Sequence, residues 1–369
     1  MRTISSIKNR IKKVVYLTLY CIRIILWTFT EMKENKKTTA FVFRVSKWKQ
    51  PFVNNFLSEY KLLYSPSDNW LFLLKPIIGR KTDKVFIIWG SKDDNKICEF
   101  AYKYNIPIYR LEDGFVRSVG LGSTHTPPYS LCLDRRGIYY DSTRPSDLED
   151  ILNTYNFSSD KDLIERSKEC IRLIKKLGVS KYNHIDKKSI NEIYGDKIQK
   201  RILVIGQVED DASIIKGSNK KWTNNELVHL ASKENPDAEI IYKPHPDVLS
   251  GRRLNQSNPQ SIKHLAKVIE EPISLVDSFQ TIDHVYTITS LSGFEAIIRG
   301  LTVTTVGAPF YSGWGLTDDR QIVNRRKRNL RIEELFAGAY LLYPIYFDPI
   351  KNNELTLEET IIKISSDDR

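Results

Sequence analysis

Residues 201–213, Arg201-Ile-Leu-Val-Ile-Gly-Gln-Val-Glu-Asp-Asp-Ala-Ser213, decide the predicted fold. They begin with a short apolar run that ends in glycine, which is typical of a buried strand, and a polar turn follows at once. A similar run, Lys84-Val-Phe-Ile-Ile-Trp-Gly90, lies in the first half of the chain. From residue 84 onward such runs alternate with helical stretches, so the sequence predicts an α/β protein.

Two α/β blocks are predicted on either side of a polar connector over residues 178–200, with a cleft between them. The predicted strands span 84–90, 106–111, 201–206, 238–242, 284–288 and 301–306. The predicted helices span 93–104, 146–177 and 224–233, lie near 261–270 and follow Ser292. We therefore expect a segment over 1–37, an N-terminal domain over 38–190, a C-terminal domain over 191–345 and a tail over 346–369.

Composition and charge exclude some classes of protein. The chain has 369 residues, of which 41% are hydrophobic, so it is too apolar to be disordered and long enough for two domains. Residues 1–50 hold twelve Lys and Arg against two Glu, which accounts for +10 of the net charge of +11. Because the remaining residues are almost neutral, we expect no nucleic-acid partner, and the basic segment predicts contact with an anionic surface.

Residues 14–29 are apolar and follow the first basic cluster. As a helix this run is about 24 Å long, shorter than a hydrocarbon core of about 30 Å, and Arg23 interrupts it. No small-residue cleavage site follows. We predict a basic amphipathic helix that attaches the protein to a membrane surface; a helix packed on the protein's own core and a true span are the alternatives.

The four cysteines are scattered along the chain without a C-x-x-C pair, and no histidines stand at ligand spacing. This pattern favours a reducing, cytoplasmic compartment and predicts neither a disulfide scaffold nor a zinc site.

Polar motifs follow two of the predicted strands, at the sheet edge where open α/β sheets bind ligands. Glu112-Asp113-Gly114 offers an acid, a base or a hydroxyl anchor, and is also an ordinary turn. Glu209, Asp210 and Asp211 are three adjacent acids, which predict a nucleophile or a base. A metal-binding motif and a solvated acidic turn are the alternatives for these three acids.

A further pair of motifs predicts a nucleotide-phosphate pocket. In Lys243-Pro-His-Pro246 the prolines hold His245 in an extended turn where its imidazole is able to donate to a phosphate, and Lys243 adds charge. Ser292 and Glu295 form a capping-box pattern, and a helix N-terminus with serine hydroxyls also binds anions. P-loop, dinucleotide-binding and serine-hydrolase motifs are absent from the sequence.

These motifs, in this order, resemble those of the KpsC-type capsule polysaccharide proteins, which are retaining β-Kdo glycosyltransferases. The resemblance covers roughly residues 40 to 345. That family carries two such modules in tandem, and the single module here is most similar to the C-terminal one. The matching stretches are 46–51, 89–91, 111–118, 120–122, 127–130, 137–141, 206–213, 242–246, 290–295 and 307–317.

The resemblance implies a GT-B-like fold of two Rossmann-like domains and transfer of Kdo from CMP-β-Kdo without a metal or another cofactor. Gln207 to Asp211 matches the family's Q-x-x-x-D motif, so Asp211 is the expected nucleophile and a covalent sugar ester gives net retention. Glu112 or Asp113 is the expected base for the acceptor hydroxyl. The expected substrate-binding residues are Gln207, Lys243, His245, Ser290, Ser292, Glu295 and Arg117.

The expected partners are a CMP-sugar donor, a lipid-linked glycan acceptor, the anionic inner-membrane surface and other capsule biosynthesis proteins. This implies a cytoplasmic enzyme peripheral to the inner membrane. The alternatives are a transferase for another CMP-ulosonic acid, a non-catalytic export or assembly factor of the same fold, and a lipid- or nucleic-acid-binding module without chemistry.

Overall fold

The computed structural model describes residues 14, 15, 17–22, 24, 26, 37–65, 68–78, 83–91, 95–120, 124–183, 189–253 and 256–366. The chain packs as two compact units, Met1–Glu112 and Asp113–Arg369. The domain boundary predicted at residue 190 stays a prediction.

The first unit is built on a parallel sheet with the strand order β2-β1-β3-β4. Its strands are β1 (Thr39–Phe43), β2 (Lys61–Tyr64), β3 (Lys84–Trp89) and β4 (Ile108–Asp113), and its helices are α1 (Gln50–Phe56), α2 (Lys75–Ile78) and α3 (Asn95–Lys103). All of β1 is buried, as expected of a strand covered on both faces. Phe43 and Phe86 pack with ring centroids 4.8 Å apart in the core of this unit.

Ten residues between 14 and 26 are described, and all are helical. Tyr20 and Ile24, one turn apart, are buried in the core of the first unit. The apolar side chains at 15, 19, 22 and 26 are exposed, and their spacing places them on the opposite side of the helix. No helix among the described residues is both long enough and apolar enough to cross a membrane.

The second unit contains a six-stranded parallel sheet with the order β8-β7-β6-β9-β10-β11. Counted from β6, this is the 3-2-1-4-5-6 order of the Rossmann fold. The strands are β6 (Arg201–Ile205), β7 (Glu239–Lys243), β8 (Lys267–Val268), β9 (His284–Thr287), β10 (Thr302–Thr305) and β11 (Asp318–Asp319). The structure thus confirms the predicted α/β class, with parallel strands in both units and the Rossmann strand order in the second.

The described part of the second unit contains ten α-helices. They are α4 (Asp147–Thr154), α5 (Lys161–Leu177), α6 (Ile190–Tyr194), α7 (Ala212–Gly217), α8 (Asn224–Glu234), α9 (Pro246–Leu249), α10 (Leu275–Ser278), α11 (Leu291–Ile298), α12 (Ile332–Phe336) and α13 (Leu357–Ser366). Side chains of β6 alternate between two core clusters, with Ile202 and Val204 in one and Leu203 and Ile205 in the other.

The last part of the chain packs against an early part of the second unit. β5 (Ser130–Asp134) pairs antiparallel with β12 (Pro344–Asp348), which pairs with β13 (Asn353–Glu354). Glu358 of α13 accepts two hydrogen bonds from the Arg166 guanidinium of α5, at 2.6 and 2.8 Å. Most of the stretch predicted as a tail is therefore folded.

Two predicted helices differ from the structure. The helix predicted near 261–270 is wrong, because a short 3-10 helix at Pro259–Ile262 and the strand β8 lie there. The helix predicted over 146–177 is two helices, because Asp160 caps a new helix by accepting from the Leu163 N–H at 3.0 Å.

Candidate active site

The site is built where β6 and β9 lie side by side, since the strand order reverses there and ligands bind at such switch points. The Gln207 side chain joins the two strand ends: its Oε1 accepts from the Thr289 N–H at 2.8 Å and its Nε2 donates to Thr289 Oγ1 at 3.2 Å. The Asn224 side chain bonds both the N–H and the carbonyl of Gln207, at 2.9 Å each. Gln207 is buried and fixes the start of the loop that carries Asp211.

Asp211 caps the N-terminus of α7. Its Oδ1 accepts from the Ser213 N–H at 2.9 Å and from Ser213 Oγ at 2.7 Å. Its Oδ2 has no hydrogen bond or ion pair to any residue that the structure describes, and the side chain is exposed. One carboxylate oxygen is therefore anchored and the other is accessible, which suits a nucleophile.

The two acids before Asp211 have other surroundings. The Asp210 carboxylate is paired with the Arg253 guanidinium at 2.8 Å. Glu209 is buried, and its Oε1 accepts from the Asn224 N–H at 2.7 Å and from the Ser257 hydroxyl. The mutual repulsion of three adjacent acids is relieved because one is neutralised by a cation and one points inward.

His245 caps α9, and its Nδ1 accepts from the Asp247 N–H at 3.1 Å. In a neutral imidazole this places the proton on Nε2, which is then a donor. Burial lowers the pKa of His245, and the charges of Asp247, Lys243, Asp211 and Lys181 act on it as well. His245 is thus a neutral donor within the electrostatic range of the Asp211 carboxylate.

Lys243 is the last residue of β7, and its side chain is buried. Burial lowers the pKa of its ammonium from 10.5 to about 8. Within the described part of the chain the ammonium has neither a hydrogen bond nor an ion pair. The site therefore contains a buried cation whose charge no neighbouring side chain neutralises.

The N-terminus of α11 follows β9 on the other side of β6. Ser290 is its cap, because the Ser290 hydroxyl accepts from the Ser292 N–H at 3.2 Å. The capping box predicted from Ser292 and Glu295 is wrong, since Glu295 is buried and its Oε1 accepts from the Lys181 N–H at 2.9 Å. Position 293 must be glycine, because a Cβ there would lie 2.2 Å from the Tyr311 hydroxyl oxygen.

Residues 179–183 bring two unpredicted side chains, Lys181 and Tyr182, to the site. The Asn183 N–H donates to the Val119 carbonyl at 2.7 Å, and Tyr182 forms a bridge with Ser118. Burial raises the pKa of Tyr182, on which the charges of Lys181, Asp113, Arg117 and Asp247 also act. The sequence predicts only a polar connector here; the Lys-Tyr-Asn tripeptide after Gly178 is the one local signal, and it is weak.

Asp113 and Arg117 form an ion pair, with Asp113 Oδ2 2.9 Å from Arg117 Nε. The Arg117 side chain is fully buried and also donates to Ser118 Oγ at 2.7 Å and to the Thr126 carbonyl at 3.1 Å. Glu112 is the last residue of the first unit. The charges of Asp113, Arg117 and Asp247 all act on Tyr182. The Asp113–Arg117 pair therefore lies close to the turn that carries His245 and Asp247.

The structure therefore brings Asp211, His245, Lys243, Asp113 and Arg117 into one neighbourhood of the second unit, with Ser290 and Ser292 at the adjoining strand end. Gln207 and Glu295 have buried positioning contacts instead. The chemical roles predicted for all these residues stay predictions. No group of three or more His, Cys, Asp or Glu side chains in the described ranges is arranged to hold a metal ion.

Comparison with known proteins places these features in a family context. The family model described as capsule polysaccharide biosynthesis protein matches residues 84–352. The lipopolysaccharide-processing protein LpsZ of Rhizobium meliloti is 41% identical over 330 residues, 89% of this chain and 75% of that protein. The capsule polysaccharide modification protein LipA of Neisseria meningitidis serogroup A is 38% identical over 339 residues, 91% of this chain. The chain spans 47% of the length of that LipA.

Two solved structures are similar over almost their whole length. The β Kdo 2,4 transferase of Thermosulfurimonas dismutans KpsC has a TM-score of 0.77 and 33% identity, and the match covers 91% of this chain and 99% of that chain. The β Kdo 2,7 transferase of the same KpsC has a TM-score of 0.73 and 35% identity, and the match covers 90% of this chain and 100% of that chain. The predicted resemblance to KpsC-type proteins is confirmed.

Proposed function

Because the chain belongs to the capsule polysaccharide biosynthesis protein family, we propose that it is a retaining β-Kdo glycosyltransferase that uses CMP-β-Kdo. Two solved relatives that are more than 30% identical are Kdo transferases, which supports glycosyltransferase activity. One observation carries the mechanistic part of the proposal: Asp211 presents an accessible Oδ2 at the switch point of the second unit, while Ser213 anchors its Oδ1.

In the first step, Asp211 Oδ2 attacks C2 of the Kdo residue. A C2–O bond to Asp211 forms as the C2–O bond to the phosphate breaks, and CMP leaves with that electron pair. The two hydrogen bonds from Ser213 hold the carboxylate in the orientation for this attack. The product is a glycosyl ester in which the configuration of C2 is inverted.

The departing phosphate gains negative charge, and neutral donors lie where they are able to stabilise it. His245 offers an Nε2–H, since Nδ1 is already occupied by the Asp247 N–H. Ser292 and the first turn of α11 add a hydroxyl and a helix N-terminus. These groups form the proposed CMP-binding side of the site.

In the second step, an acceptor hydroxyl attacks C2 and releases the Asp211 carboxylate, while a base takes the hydroxyl proton. This second inversion gives net retention. Asp113, held by Arg117 and near Tyr182, is our proposed base within the second unit, and Glu112 is its alternative. No metal ion or further cofactor takes part in the proposed steps.

The proposed acceptor is a lipid-linked glycan at the cytoplasmic face of the inner membrane. The basic residues before position 50 and the exposed apolar side chains at 15, 19, 22 and 26 support attachment of the protein to that anionic surface. Other capsule biosynthesis proteins are proposed partners.

The experiment that tests the mechanism is an intact-mass measurement after the protein is mixed with freshly generated CMP-Kdo in the absence of acceptor. We expect the wild-type protein to gain the mass of one Kdo residue and the Asp211→Ala protein to gain nothing. Asp210→Ala is the matched control, because it removes the adjacent exposed carboxylate, and this variant should still form the adduct.

An adduct that persists in Asp211→Ala would show that another residue is the nucleophile. Absence of any adduct on a wild-type protein that still transfers Kdo would contradict the covalent step. A protein that binds CMP but transfers a different ulosonic acid would identify the donor as that acid.

A further inference from the structure

Lys243 is a buried cation without a protein partner, next to the loop of the proposed nucleophile. Its carbonyl accepts from the Gly206 N–H at 2.8 Å, and Gly206 begins the loop that leads to Asp211. Its ammonium has no hydrogen bond or ion pair to the described residues. Buried ammonium groups are rare unless an anion compensates them, so we expect the missing anion to come from a ligand.

The strand geometry indicates on which face of the sheet Lys243 lies. Along β7, Ile240 and Tyr242 pack in one core cluster and Ile241 packs in the other. Because side chains alternate along a strand, Lys243 shares the face of Ile241. The cluster on that face also contains Phe115 and Val179, from the segments that carry Arg117 and Lys181.

The donor has two anionic groups that the Lys243 ammonium could bind. In CMP-Kdo the carbon attacked by Asp211 carries both the phosphate and a carboxylate. Approach of the Asp211 carboxylate to that carbon brings two carboxylates together, and their repulsion raises the barrier unless a cation lies beside them. The phosphate already has neutral donors in His245 and in the first turn of α11, which lies across β6 from Lys243.

Resting on the proposed function, we propose that the Lys243 ammonium binds the carboxylate of the ulosonic acid in the donor. Lys243 then determines which class of donor the enzyme accepts. A sugar nucleotide without a carboxylate leaves a buried cation unpaired in the complex and is rejected for that reason. Lys243 thus acts as a binding and specificity residue, while Asp211 forms the bond.

The test compares two ligands on two variants. CMP carries a phosphate and no carboxylate, whereas freshly generated CMP-Kdo carries both. For Lys243→Met we expect the dissociation constant of CMP to stay within about twofold and kcat/KM for CMP-Kdo to fall about 100-fold. Lys243→Arg, which keeps the charge, should recover part of that loss. Lys267→Met, on the neighbouring strand β8, removes an exposed lysine and should change neither quantity.

Equal weakening of CMP binding and of CMP-Kdo turnover in Lys243→Met would overturn the proposal and assign Lys243 to the phosphate. Turnover within threefold of the wild type would overturn it as well. The melting temperature of each variant separates these results from misfolding. Failure of the proposed function is distinct, because then the wild-type protein itself would not turn over CMP-Kdo.

Discussion

Asp211 and Lys243 stand at the ends of neighbouring strands in opposite surroundings. Asp211 is exposed, and Ser213 holds one of its oxygens. Lys243 is buried, and the described residues provide no counter-charge for it. A charge in such a place lowers the stability of the unliganded protein, which is common where a binding site needs it.

We therefore expect Lys243→Met to stabilise the unliganded protein. Burial lowers the pKa of Lys243 from 10.5 to about 8, so at pH 7 removal of the charge should raise the free energy of unfolding by about 3 kcal/mol. Urea unfolding at pH 7 measures this change, with Lys221→Met, which removes an exposed lysine, as the control. Between pH 8 and 10.5 the unfolded wild-type chain binds the proton more tightly, so wild-type stability rises and the difference should shrink. A destabilised Lys243→Met protein would contradict this account.

The same shift predicts how activity depends on pH. Only the protonated ammonium attracts a carboxylate, so kcat/KM for CMP-Kdo should fall as the pH rises through about 8. In Lys243→Arg the guanidinium stays charged, and the fall above pH 8 should disappear. Initial rates from pH 6.5 to 9.5 at low donor concentration measure both profiles. The same fall in both proteins would assign the titration to another group.

The segment 179–183 shows how one element positions others in the site. Glu295 of α11 and Arg299, the C-cap of that helix, hold it: Glu295 accepts from the Lys181 N–H at 2.9 Å and Arg299 donates to the Val179 carbonyl at 2.9 Å. Burial raises the pKa of Glu295, so its neutral form is favoured there more than in water. Its Oε1 accepts the Lys181 hydrogen bond, a role that does not require the negative charge.

From this we expect Glu295→Gln to keep the contact with Lys181 and Glu295→Ala to lose it. The glutamine variant should unfold within about 0.5 kcal/mol of the wild type, whereas the alanine variant should lose about 2 kcal/mol, from an unsatisfied N–H and a small cavity. Urea unfolding and kcat/KM for CMP-Kdo are the measurements. Equal losses in both variants would mean that the charge of Glu295 is required.

The N-terminal helical residues have two apolar sides, of which one is buried and the other is exposed. Tyr20 and Ile24 pack in the core of the first unit, so the alternative that this helix packs on its own protein holds for one side. Leu19 and Ile22 are exposed on the other side. An exposed apolar stripe in a basic segment is typical of a helix at a membrane interface.

Ile22→Asp should therefore weaken binding to vesicles that contain anionic phosphatidylglycerol. We expect the partition coefficient for vesicle binding to fall at least tenfold, because the free energy of burying one isoleucine side chain is lost. The melting temperature should be unchanged. Ile198→Asp is the matched control, since Ile198 is an exposed isoleucine of the second unit. Vesicle sedimentation at low and high salt measures the binding, and equal losses in the two variants would exclude the stripe as the contact.

At the scale of the molecule, the sequence predicts the buried strands best. The runs at 84–90 and 201–206 are continuous apolar stretches, and the structure has strands there at Lys84–Trp89 and Arg201–Ile205. The helix predicted near 261–270 is wrong because a short 3-10 turn and a two-residue strand leave no periodicity to detect. The pairing of β5 with β12 joins residues more than 200 positions apart, which local patterns do not encode.

The candidate site also contains some residues that the sequence predicts and others that it does not. Lys243 ends β7, His245 follows it two residues later, and Asp211 lies in the loop after β6, so topology brings them together and the sequence predicts them. Lys181 and Tyr182 reach the site only because distant partners, Ser118 and Glu295, hold their segment. Such contacts depend on tertiary packing, and no motif in the segment predicts them.

The tie between α5 and α13 gives a final prediction for the whole second unit, because it joins residues 192 positions apart. The Arg166 guanidinium holds the pKa of Glu358 at about 2, below its usual 4.5. The stabilisation is therefore complete above pH 4.5 and is lost as the pH falls towards 2. Both side chains are partly exposed, so we expect Glu358→Gln to cost about 1 kcal/mol at pH 7 after solvent screening. Urea unfolding should show this loss at pH 7 and hardly any at pH 2.5, whereas Glu354→Gln, an exposed glutamate of β13, should match the wild type throughout. A loss that is the same at both pH values would mean that packing of α13, and not this ion pair, holds the end of the chain in place.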